Sequence, residues 1–169
     1  PLAGGAHDEG AAARAAALRD GLAAQLRARG FACDTGNLEV ELPYRLAFAP
    51  DRATLDRVSL DARLARASVH DAPVPEGGAE DSLATLGVRL VAIGCAQLEG
   101  GVRAVRIELP ALSDVASFIA LVTVVGESAR ACEVPALVWT GFTPPVDAAI
   151  AHTTVTPDPA VVEVNAAPC

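Results

Sequence analysis

The sequence predicts an α+β fold with a largely antiparallel sheet and two main helices. Three observations predict it. Leucines recur every four residues in an alanine-rich opening. Two β-branched runs flank a Gly-Gly pair in the centre. A 3.6-period apolar stretch then separates that pair from two further extended runs, and the order strand, strand, helix, strand, strand is an α+β signature.

The first helix is expected over residues 9–29, where Leu18, Leu22 and Leu26 share a face. Gly30 stands at the C-cap position, with Arg27 and Arg29 in the last turn. "LEVEL" (Leu38 to Leu42) alternates apolar and acidic residues and predicts a half-exposed strand. Glu39 and Glu41 share one face there; they could hold a metal, but the alternation favours a solvated strand face. Pattern weakens from Ala49 to Gly87. "APVPEGGAED" (Ala72 to Asp81) has the composition of a loop or linker. The predicted organisation is therefore residues 1–71 as a helix-plus-strand region, 72–87 as a linker, and 88–169 as a hairpin–helix–strand–strand region.

Beyond the linker, "VRLVAIGC" (Val88 to Cys95) and "VRAVRIEL" (Val102 to Leu109) predict a β-hairpin turning at Gly100–Gly101. Arg103 and Glu108 fall on opposite faces, so alternation fails near Pro110. Ser113 is the expected N-cap of a helix carrying Val115, Phe118, Ile119, Val122 and Ala129, with Asp114 in its first turn. "VASFIALVTVVG" reads as buried, and the helix should end near Cys132 because Pro135 follows. "ALVWTG" (Ala136 to Gly141) predicts a third strand, "FTPPVDAA" a stiff connector, and "TVTPDP" a lead-in to a fourth strand, "AVVEVN". Trp139 is expected in core or interface packing.

Bulk composition restricts function. The net charge is −8, and all 13 basic residues are arginine. The absence of lysine removes Schiff-base and P-loop lysine chemistry. An acidic chain without an arginine stripe does not suit nucleic-acid backbones. No apolar run reaches the roughly 18 residues that span a bilayer, and no signal peptide opens the chain. With no methionine in the sequence, we expect a processed chain or a piece of a longer protein. Cys33, Cys95, Cys132 and Cys169 are widely spaced and fit reduced thiols in a cytoplasmic protein, a disulfide remaining open. Cys132, at a helix C-terminus, is a poor nucleophile, because the dipole there disfavours a thiolate. Ser113 lacks a G-x-S-x-G setting. His7 and His70 lie in polar surroundings, and His152 reads as a strand-edge histidine.

The terminal strand carries the sharpest chemistry. Residues two apart in a strand project to one side, about 6.7 Å apart. Glu163 and Asn165 therefore point together, while Val162 and Val164 point away. A carboxylate beside an amide offers hard oxygen donors, as Mg²⁺ prefers. Spacing alone favours a solvent-facing pair, since any half-exposed strand can show this pattern. Asp158, between two prolines, reads as a turn-ordering residue.

The pieces Leu109–Pro110, Gly141–Phe142–Thr143–Pro144–Pro145 and Val155 to Asn165 together resemble a bacterial family of amidoligase domains. Such domains lie within large proteins that often also carry a transglutaminase-like domain. The likeness covers mainly residues 88–169, with a thin upstream extension at "RVSLDARL". It implies the leading part of a glutamine-synthetase-like fold and an ATP-dependent carboxylate–amine ligase. By that resemblance Glu163 is a metal ligand, Asn165 assists cofactor binding, and the cofactors are Mg²⁺ and ATP. The partners are carboxylate and amine substrates, peptides among the candidates, and further polypeptide beyond Cys169; neither nucleic acid nor membrane is expected. Two departures stand out: Ala160 replaces a usual glycine, and Ala167 a usual histidine. The family also continues through a glycine-rich Asn-His segment that this sequence does not contain. The chain is thus expected to be inactive alone, or else a non-catalytic α+β scaffold or interaction module that has lost the site.

Overall fold

A computed structural model of the chain describes residues 4–65, 69, 83, 85–145, 153–157 and 162–166, excepting the side chains of 4–9, 153–157 and 162–166. Helix α1 runs Gly4–Ala28, five residues earlier than the leucine pattern required. Its buried stripe is Ala11, Ala15, Leu18, Leu22, Ala23 and Leu26. Gly30, at φ +91, closes the helix, donating its N–H to the Arg27 carbonyl while Phe31 donates to Leu26.

Strands β1 (Ala32–Asn37) and β2 (Tyr44–Ala49) form an antiparallel pair. "LEVEL" is not a strand: residues 38–42 are the loop between them. Its alternation is real in burial, since Leu42 is buried while Glu39 and Glu41 are exposed. The segment instead folds back on itself, with Leu38 N–H bound to the Pro43 carbonyl at 2.8 Å. A loop can satisfy an alternating pattern by dipping one side chain into the core.

Two short helices, α2 (Arg52–Leu55) and α3 (Leu60–Leu64), follow where pattern is weakest. Each is capped by a side chain, Asp51 accepting from Thr54 N–H and Ser59 from Ala62 N–H. The predicted linker falls largely outside the described residues; Leu83, within it, is buried.

Strands β3 (Arg89–Gln97) and β4 (Arg103–Leu109) make the expected hairpin. Gly100 and Gly101, both at φ near +78, form its turn, which Leu98 N–H closes onto the Val102 carbonyl. Helix α4 (Val115–Ala131) then crosses back, so that β5 (Leu137–Gly141) pairs parallel with β4. The sheet order is β1-β2-β3-β4-β5, antiparallel except at its last pair. The α+β expectation therefore holds, with two short helices added to the two main ones.

Both faces of the sheet are covered. On one, α1 and α4 pack over Leu46, Phe48, Val91, Ile93, Val105 and Ile107. On the other, Leu55, Val58 and Leu83 lie over Ala47, Ala49 and Leu90. This double coverage explains why β4 does not alternate: Ala104, Val105, Ile107, Glu108 and Leu109 are all buried.

Three local expectations change. The N-cap of α4 is Asp114, not Ser113; its carboxylate accepts from Ser117 N–H at 2.7 Å, and the Ser113 hydroxyl donates to it. A carboxylate is the stronger acceptor for an orphan N–H, which moves the cap by one residue. Helix α4 is not buried all round: Leu121, Val124, Val125 and Ala129 face inward, but Ile119 is 57 % exposed. Trp139 is not core; it sits half-exposed on β5, at the edge of the sheet.

Candidate functional site

The face of the sheet opposite α1 and α4 carries a polar band. Register aligns Arg45, Ala92, Glu108 and Thr140 across four adjacent strands. Residues opposite one another in a ladder share a face, so two charges and a hydroxyl stand in one row. Arg106 joins them from the same side of β4. Its guanidinium donates to Thr140 Oγ1 at 3.2 Å, to Glu41 at 2.9 Å and to Glu108 at 2.9 Å. The second Glu108 oxygen accepts from Val69 N–H at 3.1 Å. Arg45 and Glu108 are both buried.

Sequence reasoning missed this band. The signal was available in "RIEL": Arg106 and Glu108 are two apart and must share a face. Arg103 and Glu108, by contrast, do lie on opposite faces. Chemically the band is committed to structure. Arg106 ties the loop residue Glu41 to the sheet, and Glu108 anchors the chain at Val69. Each Glu108 oxygen accepts a hydrogen bond from within the fold, one from Arg106 and one from Val69 N–H. Glu41 is held by Arg106, and Glu39 is exposed on the same loop. Among the described residues, no three His, Cys, Asp or Glu side chains gather to hold a metal.

A second network joins β1 to α2 and α3. The Arg63 guanidinium, 3 % exposed as a residue, donates to the carbonyls of Leu55 and Val58 and to Asp34. Arg52 donates to the other Asp34 oxygen at 2.8 Å. Burial alone would raise the Asp34 carboxyl. The hydrogen bond from Arg52 and the charges of Arg63 and Arg52 outweigh it and hold Asp34 below the usual carboxylate range. This network draws its partners from within the fold, although the Arg63 Nε is buried without a hydrogen-bond partner among the described residues.

The terminal candidates lie on a separate two-stranded sheet, β6 (Thr153–Pro157) antiparallel to β7 (Val162–Ala166). "TVTP" is thus itself a strand and not merely a lead-in. Glu163 and Asn165 both fall on β7, two positions apart. Register sets Thr156 opposite Glu163 and Thr154 opposite Asn165. Four oxygen-bearing residues therefore occupy one face of the hairpin, while Val155, Val164 and Val162 occupy positions on the other. Asp158, His152, Ala160, Ala167 and Cys169 lie outside the described residues, as do His70 and the linker residues 72–81. Among the described cysteines, Cys33, Cys95 and Cys132 are not joined to one another by a disulfide. Burial raises the Cys33 thiol above its ordinary value. Cys132 reaches back to the Ala17 carbonyl at 3.3 Å and helps seat α4 on α1. No helix among the described residues is long and apolar enough to cross a membrane.

Two of the motif pieces meet in space. Phe142 N–H donates to the Leu109 carbonyl at 3.0 Å, immediately before Pro110. Gly141, at φ +94, lies so close to that strand that a Cβ would sit 2.5 Å from the Leu109 nitrogen. Glycine at the head of the Gly-Phe-x-Pro-Pro run is thus a packing requirement. Comparison with known proteins returned no matching curated protein and no matching solved structure. A protein family does match, over residues 56–169, a span that takes in β3 to β7 and the upstream "VSLDARL" helix. The chain belongs to that family, described as "Putative amidoligase enzyme (DUF2126)".

Proposed function

We propose that this protein takes part in ATP-dependent carboxylate–amine ligation, with the β6–β7 hairpin as the element that engages metal and nucleotide. One observation carries the reading. Glu163 and Asn165 share a face of an extended, paired strand, and Thr156 and Thr154 stand opposite them in register. The donor set fits Mg²⁺, which commonly takes one or two carboxylates and fills its shell with neutral oxygens, water and phosphate. Glu163 would ligate the ion and Asn165 would assist the nucleotide phosphates. The bound ion would neutralise charge crowded on the phosphate oxygens.

In the reaction class, a carboxylate oxygen of the acid substrate attacks the γ-phosphorus of ATP. The bond to the β-phosphate oxygen breaks, and ADP leaves. The amine nitrogen then attacks the acyl carbon, phosphate departs with the bonding electrons, and the nitrogen loses a proton. The amino acids of the hairpin need only position and screen the phosphates, a role suited to one carboxylate among neutral oxygens.

The test uses the complete protein with Mg²⁺, ATP, hydroxylamine as the amine, and a panel of amino acids and peptides as acids. We expect phosphate release matched by hydroxamate formation, lost on chelation of the metal and reduced at least about tenfold by Glu163→Gln. Hydroxamate formation without ATP, or full activity of Glu163→Gln, would contradict the reading. Complete inertness across the panel, with no nucleotide bound, would favour the non-catalytic scaffold.

A further inference from the structure

The two edges of the five-stranded sheet are unalike. At β1, Arg27 donates to the Cys33 carbonyl at 3.1 Å and Arg19 to the Gly36 carbonyl at 3.3 Å, while Arg52 and Arg63 hold Asp34. Charged side chains on an edge strand guard it against a further strand. Among the described residues β5 has no such guard. Its sequence, "LVWTG", has neither charge nor proline. Phe142 N–H points at β4, where it bonds the Leu109 carbonyl. Direction alternates along a strand, so Val138 and Thr140 also point their backbone groups at β4. Leu137 and Trp139 turn N–H and C=O to the open side. Among the described residues no strand pairs with them there.

The β6–β7 hairpin has the complementary need. A two-stranded sheet alone is marginally stable in water. β6 ends on Pro157, which cannot donate to another strand, whereas β7, "VEVNA", holds no proline. The faces of β5 and β7 also match. Leu137 and Trp139 stand opposite Val105 and Ile107, on the side covered by α1 and α4, and Trp139 stays 43 % exposed at the edge. Val138 and Thr140 stand opposite Arg106 and Glu108, on the side of the polar band. On β7, Val162 and Val164 alternate with Glu163 and Asn165. One orientation therefore sets valine beside tryptophan and the oxygen-bearing residues beside the polar band. The connector, residues 142–152, is long enough to extend roughly 36 Å, which allows β7 to lie beside β5 with β6 outermost.

We propose that the hairpin docks on the sheet, with β7 added to the open edge of β5, giving the order β1-β2-β3-β4-β5-β7-β6. The row Arg45, Ala92, Glu108 and Thr140 then continues into the face that bears Glu163 and Asn165. Docking seats that face on a rigid sheet instead of a lone hairpin. Its value for metal binding rests on the ligase reading; the docking itself does not, since it needs neither metal nor nucleotide.

Site-resolved hydrogen exchange on the complete protein, without metal or nucleotide, is the test. The amides of Leu137 and Trp139 should be protected like those of Val138 and Thr140. Val164→Pro, which breaks β7, should speed exchange at Leu137 and Trp139 about tenfold or more, as loss of a hydrogen bond does, and leave Val138 and Thr140 unchanged. If Val164→Pro fails to fold, cross-linking decides. Thr140→Cys combined with Glu163→Cys or with Asn165→Cys should form a disulfide on mild oxidation, and Thr140→Cys with Val164→Cys, on opposite faces, should not. Fast exchange at Leu137 and Trp139, protection that Val164→Pro leaves intact, or no cross-link in either pair would overturn the proposal. So would protection that appears only as dimers form with rising concentration, because the occupant would then be a second copy. A negative hydroxamate assay leaves these outcomes unchanged, so the docking and the ligase reading fail separately.

Discussion

Glu108 shows how a single buried charge can tie separate stretches of chain together. Its two oxygens serve Arg106 and the Val69 N–H. Replacing it by alanine takes the acceptor from Val69 N–H and one partner from Arg106, which keeps Glu41 and Thr140, and should cost about 1–3 kcal/mol, the usual result of leaving a buried polar group unpaired. Denaturant unfolding measures this directly. Asp34 makes a pH-dependent counterpart. Its folded pKa is depressed, so it contributes stability above the unfolded value of about 3.9 and loses that contribution as pH falls through the folded value. Asp34→Asn should therefore be less stable than the parent at neutral pH, and the difference should shrink in acid. Asp114 behaves alike at the start of α4. The hydrogen bond from Ser117 N–H depresses its pKa, so Asp114→Ala should lower the melting temperature at neutral pH and have less effect in strong acid. Neither Glu108 nor Asp34 could be ranked from sequence as structural, because burial of a charge depends on what crosses above it.

At the scale of elements, periodicity identified what repetition can identify. The stripe of α1, the β3–β4 hairpin, α4 and β5 were legible because their apolar spacing agrees with their geometry. "LEVEL" was not, because a loop with Leu42 buried and two glutamates exposed gives the same alternation as a strand. Strands β1 and β2 escaped notice for the opposite reason. "ACDTGN" is polar because it is the sheet edge, and "YRLAFA" does not alternate because it is covered on both faces, with Arg45 buried among its apolar residues. The β6 strand was hidden by its flanking prolines. Where element ends meet, tolerance should be least. Gly141→Ala combines an unfavourable φ with a collision against the Leu109 backbone and should cost on the order of 3 kcal/mol. Thermal melting of the variant checks it.

For the whole molecule, one five-stranded sheet takes β1 and β2 from residues 1–71 and β3 to β5 from residues 88–141. The segment between the two halves contributes Leu83 to the core on the face away from α1 and α4. The family match agrees with this continuity, since it begins at Asp56, well before the motif-rich second half. Composition argues against nucleic-acid binding and leaves no lysine for chemistry, but it could not point to an apolar cleft lined by four separate stretches of chain, residues 26–31, 48–50, 87–89 and 112–124. The hairpin motif was readable because its spacing is short-range; its pairing with Thr154 and Thr156 required the register.

We propose above that the oxygen-bearing face of the hairpin holds a divalent ion with nucleotide. Electron paramagnetic resonance of Mn²⁺ with ATP in the complete protein addresses it without knowledge of either substrate. One bound Mn²⁺ per chain is expected, displaced by Mg²⁺ and weakened about tenfold or more in Glu163→Gln. Thr156→Val should produce a smaller loss. Bound Mn²⁺ with the same affinity in Glu163→Gln as in the parent protein would contradict it.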